Sequence, residues 1–215
     1  MKYGPWDRGT DEVAKPVVRL WEAGFDAIPT MIRHLDDRRI TRLGSGNDAY
    51  TFYHRICDIA ADIIEVCLTC EVDYYSVEVR ENGPGSRNNT SNARRISELK
   101  KAIPKLWSAA QKEGESIHYL NQLKALDQPE RGALDTVSTN GLRACPLQVL
   151  KKKYSEDLLK FYVHVKFKTE SEQIGEALLE SELPKPQLRS AFVKMLNGPT
   201  EVREVARDFL HSLHK

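Results

Sequence analysis

The clearest pattern in the chain is a run of apolar residues between Ile56 and Leu68 that recur at intervals of three and four. This spacing places them on one side of an α-helix, while Asp58, Asp62 and Glu65 fall on the other side. A helix with one apolar side gains its stability by packing that side against another element. The sequence therefore predicts a helix of more than three turns here, covered by a neighbour.

Two shorter amphipathic stretches precede this helix and are its nearest candidate partners. Pro16 favours a helix start and Gly24 a helix stop, so KPVVRLWEAG predicts a first short helix. A second helix begins near Asp26, which is a suitable cap, and tolerates Pro29 in its first turn. Its apolar side comprises Ala27, Ile28, Met31, Ile32 and Leu35. The two stretches predict a helical hairpin with a tight glycine turn.

Further helical patterns fill most of the remaining chain. ISELKKAI, KLWSAAQKEG after Pro104, and ESIHYLNQLKAL predict helices in the middle, and CPLQVLKKKY predicts one that starts at Pro146. EQIGEALLES, PQLRSAFVKML and TEVREVARDFLHSL predict three amphipathic helices at the end. We therefore expect a fold made almost entirely of short helices.

The stretch 158–168 fits two structures, because its apolar residues alternate as in a strand and also include a set at helical spacing. Ser155 is a suitable helix cap, and Glu156 and Asp157 would lie in the first turn, where negative charge is favourable. These residues favour a helix over a strand.

Two segments interrupt the helical pattern. VDYYSVEVRENGPGSRNNTSN starts with a short alternation and continues into Gly, Pro, Asn and Ser, which favour turns and loops. We expect an exposed insert at about 73–94 and an irregular linker at about 127–141. Both are interpreted as parts of a single helical-repeat domain that spans 1–215.

The order of parts over 16–42 resembles the HEAT-like repeat family of α-solenoids: a short helix, a glycine turn, a second helix reading A-I-P-x-x-I-x-x-L-D-D, and then arginines. The end of the chain, 186–213, is similar to the same unit. Trp107, followed by KEGE and by Tyr119 and Leu120, resembles bacterial HEAT-like proteins of unassigned function. The resemblance implies stacked antiparallel helix pairs. Because the units are unevenly spaced, the expected fold is all-α, an irregular helical-repeat array of antiparallel helix pairs with one long loop insert.

Composition and charge restrict the class of protein. The chain has 215 residues, of which 40% are hydrophobic and 29% charged, with a net charge of +1. This is a globular mixture without the basic excess of a dedicated nucleic-acid binder. The N-terminal residues lack the apolar core of a secretory signal, and no run approaches the length of a membrane span. Four cysteines fit a reducing compartment, so we expect a soluble cytoplasmic protein that does not bind membranes.

His34 lies beside Asp36 and Asp37, a combination that suits general acid–base catalysis. In a HEAT-like unit, however, these positions end the second helix, where Asp and Arg connect one repeat to the next. Arg38 and Arg39 are the obvious ion-pair partners. We therefore expect a structural role and assign no catalytic residue.

Cys67 and Cys70 form a CxxC motif, which is typical of zinc sites and redox pairs. A zinc site needs four ligands, and Cys57 and Cys145 form no second pair. A redox CxxC opens a helix, whereas this one closes a helix. The acidic side of the predicted 56–68 helix is interpreted as solvated or paired with arginines. We expect packing thiols, no metal and no cofactor.

The stretch 72–112 carries four more basic than acidic residues. With Tyr74 and Tyr75 nearby it suits an acidic or phosphate-rich partner, because aromatic rings stack and cations pair with phosphates. A solvated loop and helix face is the alternative interpretation. The candidate partner-binding residues are Tyr74, Tyr75, Arg80, Arg87, Arg94 and Arg95.

Inserted loops commonly carry function in scaffolds of this kind. The sequence thus predicts a non-enzymatic helical-repeat scaffold that mediates protein–protein interaction, with the partner bound at the insert. One alternative is binding of a nucleic-acid backbone through the basic helix face of Arg94, Arg95, Lys100 and Lys101. The other is an enzyme of unknown class that uses His34 or the acidic helix face.

Overall fold

The computed structural model describes residues 19–20, 22–47, 50–69, 89–126 and 136–213. These residues are mainly helical, as the hydrophobic periodicity predicts, and they include one two-stranded hairpin that the pattern did not predict. In chain order the elements are α1 (Ile28–Arg33), β1 (Ile40–Asn47), β2 (Tyr50–Arg55), α2 (Ile56–Thr69), α3 (Asn89–Glu113), α4 (Glu115–Leu126), α5 (Thr136–Lys153), α6 (Ser155–Tyr162), α7 (Lys168–Leu179), α8 (Lys185–Met195) and α9 (Thr200–Ser212).

Internal contacts divide the described chain into two units. The first contains the described residues up to Glu115 together with 136–145, and the second contains 116–126 and 146–213. The expectation of one domain over 1–215 stays a prediction. None of the described helices is both long and apolar enough to cross a membrane.

The helix α2 forms the centre of the first unit. Its predicted apolar side is buried at Ala60, Ile63, Ile64 and Cys67, and the helix packs against α1 and α3. Val66, which lies off the predicted stripe, is buried as well. The helix is therefore covered more widely than a single stripe requires, in agreement with having two helical neighbours.

The structure from residue 19 to α1 agrees with part of the predicted helical hairpin. Gly24 ends the first helical stretch with a positive φ of 55°, a backbone conformation that glycine adopts without strain. A 3-10 turn over Gly24–Asp26 follows and leads into α1. The predicted cap Asp26 is wrong, because Ala27 occupies the cap position and makes no side-chain cap hydrogen bond. The apolar side is buried as predicted at Ala27, Ile28, Met31 and Leu35.

The hairpin of β1 and β2 joins α1 to α2. Its antiparallel register pairs Asn47 with Tyr50 and Gly44 with Tyr53, with an irregularity between Ile40 and Gly44. The strand β2 runs directly into α2 at Ile56. The sequence analysis assigned no element to this stretch.

The helix α3 starts earlier than predicted and joins two stretches that were expected to be separate helices. It begins at Asn89, inside the expected insert, and continues through Pro104, where a break between two helices was expected. Pro104 lies on the exposed side of the helix. Leu99, Ile103 and Ala110 form the buried side. Likewise, α5 begins at Thr136 within the expected linker rather than at Pro146.

The second unit has an aromatic centre built by α6 to α9. The rings of Tyr162 and Phe192 are fully buried and meet edge to face with centroids 5.5 Å apart. Phe209 of α9 lies 5.3 Å from Phe192. Gly175 of α7 makes this close packing feasible, because an added Cβ atom would lie 2.0 Å from the Phe209 ring. The three predicted C-terminal helices are confirmed.

The ambiguous stretch resolves into a helix followed by irregular chain. The helix α6 ends at Tyr162, residues 163–167 are not helical, and α7 begins at Lys168. The preference for a helix is confirmed as far as Tyr162. Ser155 is the first residue of α6 rather than its cap, which is Tyr154.

Candidate functional site

An open groove lies on the first unit, where α1 and α3 come together with the start of α4. It encloses about 470 Å³. The residues that line it are Phe25, Asp26, Pro29, Trp107, Gln111 and Glu115. We call it the Trp107 groove. It combines two aromatic rings, a proline, an amide and two carboxylates, a mixture that suits recognition of a polypeptide.

One wall of the groove is formed by residues at helical spacing. Trp107 and Gln111 are four residues apart on α3, and Glu115 follows four residues later at the start of α4. Gly114 joins the two helices with a positive φ of 90°, so that α4 begins without an intervening loop. The joint is the local feature that leaves Glu115 beside the last turn of α3.

Contacts of Phe25 hold the opposite wall in place. The Phe25 ring meets the Trp107 ring edge to face, with centroids 4.9 Å apart. The backbone N–H of Phe25 donates a hydrogen bond to Glu115 Oε1 at 2.6 Å. Both rings remain half-buried, while Asp26, Pro29 and Gln111 are exposed. The groove is thus fixed by a ring contact and a hydrogen bond, yet its surface is accessible.

A partly buried ion cluster connects α2 and α3 in the same unit. The Arg95 guanidinium donates to Asp62 Oδ1 at 2.6 Å and to both carboxylate oxygens of Glu65. The three side chains are between 13% and 23% exposed. We call this group the Arg95 cluster. It contains two of the three carboxylates on the acidic side of the predicted 56–68 helix, and the third, Asp58, pairs with Arg55 at 2.8 Å.

The two sides of the Arg95 cluster titrate differently. Burial raises the pKa of Asp62 to about 6, against the opposing effect of the Arg95 charge. Burial disfavours the charge on Arg95, but its hydrogen bonds to Glu65 and Asp62 outweigh this and raise its pKa above the usual value. Arg95 is therefore charged at all pH values of interest, while Asp62 takes up a proton near pH 6.

The turn after α1 contains the histidine and aspartates considered for catalysis. Asp37 accepts a bidentate hydrogen bond from Arg39, and this bond holds the pKa of Asp37 well below its usual range. His34 Nδ1 lies 3.5 Å from Asp37 Oδ2, and Asp36 pairs with Lys100 of α3. The backbone of Asp37 also accepts the Cys57 N–H at 2.8 Å. These contacts connect α1, α2 and α3, while the assignment of no catalytic residue stays a prediction.

Cys67 and Cys145 meet in the interior of the first unit, with their sulfur atoms 3.4 Å apart. Both are fully buried, as expected for packing thiols. Cys70, the second cysteine of the CxxC motif, lies outside the described residues. Within the part of the chain that the structure describes, no group of three or more His, Cys, Asp or Glu side chains is placed to hold a metal ion.

The predicted partner-binding residues have different positions. Tyr74, Tyr75, Arg80 and Arg87 lie outside the described residues. Arg94 is exposed on α3 and pairs with Glu98 at 2.8 Å. Arg95 points into the ion cluster, so its guanidinium is engaged within the fold and leaves little surface for a partner.

The sequence analysis did not identify the Trp107 groove. In the sequence analysis, Trp107 was singled out only as part of the resemblance to HEAT-like proteins. The signal that was available is the four-residue spacing of Trp107, Gln111 and Glu115, which places an aromatic and two polar residues along one side of the chain. The opposite wall, from Phe25 to Pro29, has no signal that connects it with Trp107 before folding.

Comparison of the chain with protein-family models, with curated proteins and with solved structures finds no match.

Proposed function

We propose that this chain is a helical-repeat scaffold of the HEAT-like kind that binds another protein and carries out no chemistry of its own. The observation that supports this role best is the Trp107 groove. Half-buried Trp and Phe rings in a depression with a polar edge are typical of the anchor positions of protein interfaces. Short helices that pack on one another, as α9 does on α7 and α8, agree with a scaffold architecture.

The test is affinity capture from native lysate, with and without nuclease, followed by mass spectrometry. Three proteins are compared: the wild type, a Trp107→Ala variant, and a variant with alanine at Tyr74, Tyr75, Arg80 and Arg87. A nuclease-insensitive partner that is recovered by the wild type and lost in either variant supports the scaffold and locates its site. Recovery of nuclease-sensitive material alone, or of nothing, would overturn the proposal.

A second candidate function, binding of a nucleic-acid backbone, has one specific observation in its favour. Four exposed cations of α3 recur at intervals of seven, four and seven, which places them along one side of the helix. They are Arg94, Lys101, Lys105 and Lys112. Arg94 pairs with Glu98 of the same helix, whereas the two other cations considered for this role, Arg95 and Lys100, pair with residues outside α3.

Salt dependence separates the two functions. Backbone binding through this stripe predicts an affinity for duplex DNA or RNA that falls steeply as salt rises, with a slope that decreases by about one for each phosphate contact removed. A Lys101→Gln/Lys105→Gln protein should lose affinity and show the smaller slope. An affinity that is the same in this variant as in the wild type would exclude the stripe.

A further inference from the structure

Two thiols of the first unit lie in direct contact. Cys67 belongs to the last turn of α2, and Cys145 belongs to α5, 78 positions later in the chain. Their sulfur atoms are 3.4 Å apart, and both side chains are fully buried. Because a disulfide bond is about 2.05 Å long, the two sulfur atoms need to approach by only about 1.4 Å for a bond to form.

Cys57 provides a comparison within the same helix. It lies in the first turn of α2 and is buried, and its Sγ atom lies 3.8 Å from the carboxylate of Asp58. Burial raises the pKa of this thiol. Ten residues separate Cys57 from Cys67, which amounts to about 15 Å along the helix. Among the described cysteines, Cys67 and Cys145 are therefore the two that are placed to react with each other.

We propose that Cys67 and Cys145 form a site of oxidative modification, at which a hydroperoxide converts the two thiols into an intramolecular disulfide that stabilises the first unit. With hydrogen peroxide, one thiol gives up its proton and its sulfur attacks an oxygen atom. The O–O bond breaks, a sulfenic acid forms and one water leaves. The second thiol then attacks the sulfenic sulfur, the S–S bond forms, and the hydroxyl leaves with a proton as the second water.

The position of the pair determines which reagents take part. Hydrogen peroxide is small and uncharged, so a small fluctuation of the interior admits it, whereas glutathione is a charged tripeptide that needs a larger opening. Thiol–disulfide exchange requires access to a sulfur atom, so the bond, once formed, is shielded from glutathione in the folded protein. The second thiol is already in contact with the first, so closure of the disulfide competes well with further oxidation to a sulfinic acid.

The expected consequence is a more stable first unit. A bond between residues 78 positions apart closes a long loop in the unfolded chain and lowers its conformational entropy. The oxidised protein should therefore unfold at a higher urea concentration than the reduced protein. This inference does not depend on the proposed scaffold function, since it involves only residues of this chain.

The experiment exposes the folded, fully reduced chain to hydrogen peroxide, blocks the remaining thiols and digests the protein with trypsin without reduction. We expect the peptide 144–151 to be linked to the peptide 56–80, with a mass lower than their sum by two hydrogen atoms. Since the peptide 56–80 contains three cysteines, a Cys57→Ala/Cys70→Ser protein locates the bond. Retention of the link in this variant, as a monomer on a non-reducing gel, supports the pairing. Thiols that stay free, sulfinic acids, or a link lost with the two substitutions would overturn it.

Two further measurements test the consequences. Urea unfolding should show a higher midpoint after peroxide treatment, which returns to the reduced value with a phosphine reductant and does not occur in a Cys145→Ala protein. Glutathione disulfide, offered in place of peroxide, should form the link in urea but not in the folded protein. An unchanged midpoint of the linked protein refutes the stabilisation, and equally fast linkage by both oxidants in the folded protein refutes the selection by burial.

Circular dichroism of each variant before treatment shows that it is folded, so that a missing link reports on the cysteines themselves.

Discussion

Replacing Arg95 by methionine removes the only cation that the described structure places in the Arg95 cluster. Methionine keeps most of the side-chain volume and loses the charge, so packing changes little while Asp62 and Glu65 lose their common partner. The two carboxylates lie one helical turn apart on α2 and are at most 23% exposed. The variant therefore leaves two like charges close together in a poorly hydrated position.

The expected magnitude follows from burial. Removing one member of a buried ion pair costs about 3–5 kcal/mol, because the remaining charge stays desolvated. Partial exposure of the three side chains and protonation of Asp62 reduce this cost, so we expect a loss of about 2–4 kcal/mol in the free energy of unfolding at pH 8. The loss should be smaller at pH 5, where Asp62 carries a proton.

Urea unfolding monitored by circular dichroism measures the effect. The matched control is Arg94→Met, which removes the neighbouring arginine; Arg94 is 81% exposed, and its ion pair in the described part of the chain is with the exposed Glu98. We expect little change in this control. Substitution of Asp62 by Asn and Glu65 by Gln in the Arg95→Met background should recover most of the lost stability. If Arg95→Met and Arg94→Met shift the transition equally, the cluster does not stabilise the unit.

Three further changes test other parts of the structure. Asp62 has a folded pKa of about 6, above its usual 3.8, so the folded state binds the extra proton and stability falls as pH rises from about 4 to 6. Asp62→Asn should abolish this fall and raise the free energy of unfolding at pH 8 by about 1–2 kcal/mol, as measured by urea unfolding at several pH values. If the variant keeps the pH dependence of the wild type, the pKa of Asp62 is not raised in the folded protein. Gly175→Ala should cost about 1–3 kcal/mol through its collision with Phe209, and Phe209→Leu in the same protein should restore part of the melting temperature. Phe192→Ala should cost about 3–5 kcal/mol by calorimetry, whereas Val193→Ala, at a position 47% exposed, should cost much less; similar losses would refute the assigned core.

Periodicity was sufficient to predict the helices with strong apolar sides. α2 and α9 were predicted because their apolar residues recur every three or four positions, and most of these positions in α2, and Val202, Val205 and Ala206 in α9, are buried in the structure. Proline was the main source of error. Pro104 and Pro146 were taken as a break and a start, yet both lie inside longer helices. A proline removes one hydrogen bond and strains the preceding turn, but packing of the remaining residues can outweigh that local cost.

The candidate site was less predictable than the fold. The acidic side of α2 had two interpretations, solvated or paired with arginines, and the structure pairs Asp62 and Glu65 with Arg95 of the following helix. Arg95 itself had been assigned to partner binding, because basic residues near a loop look alike in sequence whether they are exposed or paired inside. The Trp107 groove depends on a contact between Phe25 and Trp107, and no local pattern encodes such a pairing.

The walls of the Trp107 groove come from distant parts of the chain: Phe25 and Glu115, which meet through a hydrogen bond, are 90 positions apart. A ligand that occupies the groove therefore binds only molecules in which these segments have already come together. Such a ligand shifts the folding equilibrium by mass action, by about 2.7 kcal/mol when its concentration is a hundred times its dissociation constant. The groove thereby couples the stability of the first unit to the concentration of any ligand that it binds.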